Sequence, residues 1–243
     1  MSKDNVVPGP TWVFDEAVAE CFDDMLSRSI PGYTDMRQLV QNLCSSKLSY
    51  WDTGNTRGIV DIGASRGSGV AGLIDHYQGD YFALIEPSKA MCEVLRDRFA
   101  CEIENGQVAV FNTTYKDILG KDCLKGNTLV LSVLSLQFMP VSDRPEVLKG
   151  IFDSLHGAGM FIAVEKVVGS TEATSSMLVE EYHAFKQRNG YSPEDIARKA
   201  ASLKDAMWPV SAEENERMFK NAGFKHIECF FRNLSFAGWV CMP

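Results

Sequence analysis

Apolar positions along the chain recur at two different periods, and the change of period divides it. Between residues 13 and 29, Phe14, Val18, Cys21, Phe22, Met25 and Leu26 fall on one face at helical spacing. Pro31-Gly32 stops that helix, and a second is predicted over about 35–48. Residues 1–11 hold two prolines and a glycine and read as a loose arm, while residues 51–57, with Gly54 and Asn55, read as a turn. From residue 58 onward, short apolar runs alternate with helical segments. Strands are predicted at 58–62, 81–85, 108–111, 128–134 and 160–164, the last entered through a turn at Gly157–Gly159. Helices are predicted at 70–76, at 88–99 with Ser88 as cap, and at 143–155. Near-continuous apolar strands separated by helices indicate a parallel sheet covered on both faces. Two helices, 170–189 and 193–203, then break the alternation and read as an insertion over one end of the sheet. A helix over 213–222 ends at Gly223, and strands at 225–231 and 234–241 close the chain as an antiparallel edge hairpin.

Length adds a domain count: 243 residues fit one α/β domain over 1–243, with a helical lid over about 12–50 and the insertion over about 170–207. Hydrophobic residues at 45% and charged residues at 23% are ordinary for a globular chain. The net charge of −8 and pI near 5.1 argue against a nucleic-acid partner, because such a surface repels phosphate backbones. No apolar run approaches the about 18 residues that span a bilayer, and the first residues lack the apolar core of a signal peptide. A cytoplasmic protein with no membrane contact is expected. The seven cysteines are odd in number and form no C-x-x-C pair, which predicts reduced, mostly buried thiols and no metal.

The first predicted strand feeds Asp61-Ile62-Gly63-Ala64-Ser65-Arg66-Gly67-Ser68-Gly69. Glycine here lets the chain turn sharply and lets a ligand approach the backbone, and the following helix presents a positive end. The next strand ends in Glu86, 23 positions beyond Gly63, where a carboxylate is placed to accept hydrogen bonds from two ribose hydroxyls. The glycine spacing does not fit the G-x-G-x-x-G of dinucleotide binders. Asp61 would repel a pyrophosphate but accept bonds from an ammonium group. The pattern D-x-G-x-S-x-G resembles motif I of S-adenosylmethionine methyltransferases, with Ser65 in place of the middle glycine. The fourth strand's tip, from Ser132 and Val133 to Phe138, would floor such a site or serve simply as core.

A wider resemblance covers nearly the whole chain. Phe14-Asp15-Glu16, Pro31-Gly32-Tyr33, Leu136-Gln137-Phe138, Glu165-Lys166, His183, Phe185-Lys186 and Asn189-Gly190-Tyr191-Ser192 resemble, in order and spacing, carboxy-S-adenosylmethionine synthases, which serve wobble-uridine modification of tRNA. The resemblance implies a Rossmann-like, seven-stranded, mostly parallel sheet of the class I methyltransferase kind, with N-terminal helices and a helical insertion after the fifth strand. It implies a homodimer that binds S-adenosylmethionine and converts it, with prephenate, to a carboxylated derivative. It also implies that Tyr33 reaches the cofactor, that Gly63-Ala64-Ser65, with Asp61 and Gly67, hold its amino-acid part, and that Glu86-Pro87 take the ribose. Thr114-Tyr115 would lie along the adenine, with Ser132-Val133 beside the transferable group. Several positions depart from the family pattern: Pro87 and Val133 stand where it has asparagines, and Thr114-Tyr115 where it has an aspartate. Ala200, eight positions after Ser192, replaces the arginine that pairs with the extra carboxylate. Arg198 and Lys199 are near, but about 100–200° away around a helix. Methyl transfer to a small acceptor is therefore the simpler expectation, with cofactor carboxylation and a non-catalytic binding module as alternatives. Tyr33, Glu165, His183 and Tyr191 are candidate bases, each with an equally plain structural role, and Lys186 and Arg188 are candidates for attracting an acidic substrate.

Overall fold

The computed structural model describes residue 4 and residues 6–50, 56–120 and 124–243. Seven strands form the main sheet: β1 (Gly58–Ile62), β2 (Tyr81–Ile85), β3 (Val108–Phe111), β4 (Asn127–Val133), β5 (Leu155–Val168), β7 (His226–Asn233) and β8 (Phe236–Met242). A two-residue strand, β6 (Val210–Ser211), joins β5 at its end. The order is β3-β2-β1-β4-β5-β8-β7, parallel except for β8, which runs antiparallel to both neighbours. Connections diverge on either side of β1, where β2 and β4 flank it. The carboxyl ends of the strands there open a crevice, the usual ligand position of such sheets.

Among the described residues, ten α-helices accompany the sheet: α1 (Glu16–Ser29), α2 (Tyr33–Tyr50), α3 (Ala71–His76), α4 (Lys89–Arg98), α5 (Ala100–Glu104), α6 (Tyr115–Ile118), α7 (Arg144–Ser154), α8 (Glu172–Arg188), α9 (Pro193–Leu203) and α10 (Ala212–Ala222). Side-chain caps set several starts. Asp15 accepts from Val18 N at 3.0 Å, so α1 begins after it rather than at residue 13. One face of the sheet packs on α7 and α10 through Val147, Leu148, Ile151 and Phe219. The other packs on α2, α3 and α4 through Met36, Val40, Leu73 and Leu95. The apolar stripe Met36, Val40, Cys44, Leu48 thus makes α2 part of the core, whereas α1 belongs to a separate cluster with Trp12, Phe22 and Met91.

Four sequence expectations change. The strand predicted from residue 160 begins at Leu155. Gly157–Gly159 is not a turn but an irregular strand entry, with a register shift opposite Asn127. The arm over 1–11 is anchored at its described residue Asp4, which is buried and bonds Lys199 and Tyr191. The short α5, α6 and β6 had no periodic signal to find. The predicted turn over 51–57 lies mostly outside the described residues. Of the cysteines, Cys21, Cys44, Cys92 and Cys241 are buried free thiols, Cys101 and Cys229 are exposed, and Cys123 lies outside the described residues. No described helix is long and apolar enough to cross a membrane.

Candidate functional site

A cavity of about 390 Å³ opens over the carboxyl ends of β1, β2, β4 and β5 and is roofed by α1, α2, α8 and α9. That volume suits a small organic ligand. Its floor is the turn after β1. Gly63 and Gly67 adopt left-handed φ of 71° and 72°, and Ser65 follows with φ of 50°, which explains why a glycine is usual at its place. A side chain at Gly63 would collide with Ser135 at the tip of β4. One at Gly69 would set its Cβ 3.1 Å from Asp61 Oδ2 and 3.2 Å from Arg37 Nη2. Glycine therefore lets the acid, the guanidinium and the loop approach together.

Two carboxylates define one wall. Asp61 is buried, and burial raises its carboxyl to about 7, with Arg37 opposing and Glu86 reinforcing the rise. Arg37 Nη2 is itself buried and has no hydrogen-bond partner among the described residues. Glu86, at the tip of β2, accepts Ser65 N and Ser88 N, each at 2.8 Å, and so staples the loop to the next strand. Burial raises its carboxyl as well, against those two backbone bonds. Each Glu86 oxygen keeps acceptor capacity toward the cavity.

The roof is tied down at several points. Asp23 of α1 pairs with Arg66 of the loop at 3.4 Å. Ser88 Oγ donates to Phe14 O at 2.6 Å. Phe14 also meets Phe138 edge-on at 5.1 Å between ring centres. Phe14 and Met25, from the apolar face predicted for the first helix, both line the cavity. Tyr33 lines it beside Arg37; burial raises its hydroxyl's pKa.

The wall from β5, α8 and α9 is basic. Lys166, His183, Lys186 and Lys199 all line it. Burial, followed by the Lys186 and Lys166 charges, lowers the His183 pKa and favours neutral imidazole. Lys199 reaches the cavity although helical geometry placed it away from Ala200. Its long stem bends to the Asp4 carboxylate, while Arg198 pairs at the surface with Asp195 at 3.1 Å.

The cavity thus gathers Tyr33, Asp61, Gly63, Ala64, Ser65, Glu86, Pro87, Val133 and His183 from the sequence reading. Six other predicted residues do not line it. Gly67 turns against Phe99 and Leu95. Thr114 caps α6, and Tyr115 is buried in the core. Ser132 is buried in β4 with its hydroxyl unpartnered among the described residues. Tyr191 donates to Asp4. Glu165 is fully enclosed and accepts Leu136 N at 3.1 Å and Gln137 N at 2.7 Å, holding the 3-10 turn over 136–138. The sequence reading singles out neither Arg37 nor Lys166 as a site residue, and it sets Lys199 aside as facing away. Arg37 could have been found only by noting that it follows Tyr33 by one helical turn.

Glu165 gives a test with a definite sign. Burial raises its carboxyl to about 8, against the bonds from Gln137 and Leu136 and the Arg144 charge. Between the ordinary carboxylate range and pH 8 the native state holds a proton that the unfolded chain has lost. That contribution to stability is complete at low pH and is lost as pH rises through about 8. Glu165→Gln, which cannot titrate, is expected to gain about 1–3 kcal/mol relative to the parent protein between pH ~5 and ~8 in urea denaturation. A difference that does not vary with pH would contradict this assignment.

No family model matches the chain. Among solved structures, an O-methyltransferase family protein from Burkholderia thailandensis superposes with a TM-score of 0.67 at 11% identity, over 95% of this chain. PigF with SAH superposes with a TM-score of 0.60 at 18% identity, over 94% of this chain. The chain spans 60% of the length of each. These likenesses show the fold: a Rossmann-like sheet of the class I S-adenosylmethionine methyltransferase kind. Curated relatives go further. Carboxy-S-adenosyl-L-methionine synthase of Actinobacillus pleuropneumoniae is 29% identical over the whole of both chains. That of Nautilia profundicola is 32% identical, covering 93% of this chain and 92% of its own. That of Sulfurimonas denitrificans is 34% identical, covering 94% and 93%. With such identity sustained along almost the full length, the chain belongs to the carboxy-S-adenosyl-L-methionine synthase family.

Proposed function

We propose that the cavity binds S-adenosylmethionine and that the protein is a transferase moving its methyl group to a small acceptor. One observation carries this reading. Asp61 and Glu86 stand at the tips of adjacent parallel strands on one cavity wall, with left-handed Gly63 and Ser65 between them. The residues fit the cofactor's parts. Asp61 is a buried acid able to accept from an ammonium group, and Arg37 Nη2 is a buried donor lacking an acceptor among the described residues. Together they suit a zwitterionic amino-acid head. Glu86 retains acceptor positions for ribose hydroxyls, and Gly63 keeps the turn free of a Cβ so that the ligand can lie on its backbone.

S-adenosylmethionine supplies a methyl group already activated on sulfur. What the chain's own residues do is position and enclose. The Asp23–Arg66 and Ser88–Phe14 contacts hold the roof over the loop and exclude water. Where the acceptor must lose a proton, neutral His183 is the cavity residue suited to take it, and Tyr33 is held protonated by burial. A homodimer in the cytoplasm completes the proposal, from the resemblance and from the composition.

Membership of the family favours a second reading, in which the cofactor itself is carboxylated with prephenate as the donor. Ala200 and the Asp4-bound Lys199 stand against it where that family places an arginine. Incubation with S-adenosylmethionine, with and without prephenate, followed by mass spectrometry separates the two. Methyl transfer predicts no prephenate-dependent product; a cofactor heavier by one carbon dioxide unit would replace it with the family reaction.

A further inference from the structure

The cavity's carboxylates and its lysines stand on different walls, with Arg37 and Arg66 on the side of the carboxylates. Its acids, Asp23, Asp61 and Glu86, come from α1 and the tips of β1 and β2. Its lysines and histidine come from β5, α8 and α9. β5 lies two strands from β1, so the two walls stand roughly 10 Å apart. Lys186 is only 8% exposed. Its ammonium lies 4.6 Å from the centre of the Tyr182 ring, and Lys166 Nζ lies 4.7 Å from the same centre. Among the described residues neither lysine has an ion pair, and the ring contact is the interaction they share. Lys199 differs: Asp4 already neutralises it.

One buried and one half-buried ammonium group with no ion pair are costly to hold together, since both lose water and each repels the other. Asp4, the acid that faces Lys186, is already paired with Lys199, and both Lys166 and Lys186 face the cavity beside His183. We propose that Lys166 and Lys186, with His183, form a subsite for the oxyanion of the acceptor: a carboxylate or phosphate borne on a small apolar body. The apolar body is matched by Tyr182, Ile30 and Phe236, which line the same part of the cavity and cluster together. The subsite rests on the reading above in that its occupant is the acceptor beside the cofactor. Its anion chemistry stands on the lysines alone.

A proton follows from the same arrangement. Burial, then the charges of Lys166 and Lys199, lower the Lys186 pKa to about 7, against Asp4. The groups facing it are Lys166 from β5, Lys199 from α9, Asp4 from the N-terminal segment, and Tyr182 and His183 from its own helix. An arriving oxyanion favours the charged amine, so binding takes up a proton near neutrality and weakens as pH rises above 7.

Calorimetry on the full chain saturated with S-adenosylhomocysteine tests this, with benzoate, phenyl phosphate and neutral benzamide as probes. Benzoate or phenyl phosphate is expected to bind, and benzamide not; which anion binds more tightly distinguishes carboxylate from phosphate. Lys186→Met and Lys166→Met should each weaken the preferred anion by about 10-fold or more while the affinity for S-adenosylhomocysteine holds. The binding heat should vary with the buffer's ionisation enthalpy at pH ~7. Anions that bind no better than benzamide, or that bind the double variant as well as the parent, would overturn the proposal. Anion binding in a protein that fails to bind S-adenosylhomocysteine would leave the subsite standing and remove the cofactor reading instead.

Discussion

Asp61→Ala is expected to lower affinity for S-adenosylhomocysteine by about 100-fold, with the melting temperature of the ligand-free protein unchanged or raised. The physical reason is that a buried carboxylate is expensive unless something arrives to pair with it. Burial already pushes this carboxyl to about 7, which means that the empty fold tolerates its charge poorly. An ammonium group from the ligand reverses that balance, and a charge-assisted bond in an enclosed site contributes about 1.5–3 kcal/mol. Alanine removes the acceptor and leaves the ligand's ammonium buried without one, and the two effects add. Isothermal titration of the variant measures the loss, and affinity within about threefold of the parent's would mean that Asp61 does not face the ligand.

Gly63→Ala should be nearly as severe, through geometry rather than charge. The residue sits at φ of 71°, and its new Cβ would press on Ser135 at the tip of β4. The left-handed conformation costs an alanine about 1–2 kcal/mol, and displacing Ser135 spreads the loop away from β4. The loop also donates Ser65 N to Glu86, so the shift moves the ribose carboxylate. A loss of about 10- to 100-fold in S-adenosylhomocysteine affinity is expected, with destabilisation of about 1–3 kcal/mol. Gly79→Ala is the control, since its backbone is not left-handed and a Cβ there meets nothing within 4 Å. Equal behaviour of the two variants in binding and in thermal denaturation would contradict this account of the turn.

The frame of the fold was readable in the sequence because its signals are local. The strands at 58–62 and 81–85 match residue for residue, since each is a short apolar run ended by the loop or acid that follows. Asp61 and Glu86 were found by position relative to those runs, and the structure brings both to the cavity. What escaped notice depends on distant contacts. Asp4 and Lys199 are 195 positions apart, and no pattern links them. Lys186 is a candidate for an acidic substrate on sequence alone, but Lys166 looks like an ordinary strand-end charge until Tyr182 is seen between the two. Glu165 was read for chemistry, but its carboxylate is taken by the backbone of the turn over 136–138. Thr114 carried a legible clue of another kind: Thr114-x-x-Asp117 is a helix-capping spacing, and that is what the hydroxyl does. The stretch over 155–159 was misjudged because its glycines suggest a turn, whereas here Gly159 lets β5 pass close to the Asn127 carbonyl.

The central claim is that this cavity recognises the amino-acid and ribose ends of S-adenosylmethionine rather than a pyrophosphate. Calorimetric titration of the unaltered protein with S-adenosylhomocysteine, set beside a titration with a nicotinamide dinucleotide, tests it most directly. The account predicts saturable one-site binding of the first and none of the second; absence of heat with S-adenosylhomocysteine, or tighter binding of the dinucleotide, would contradict it.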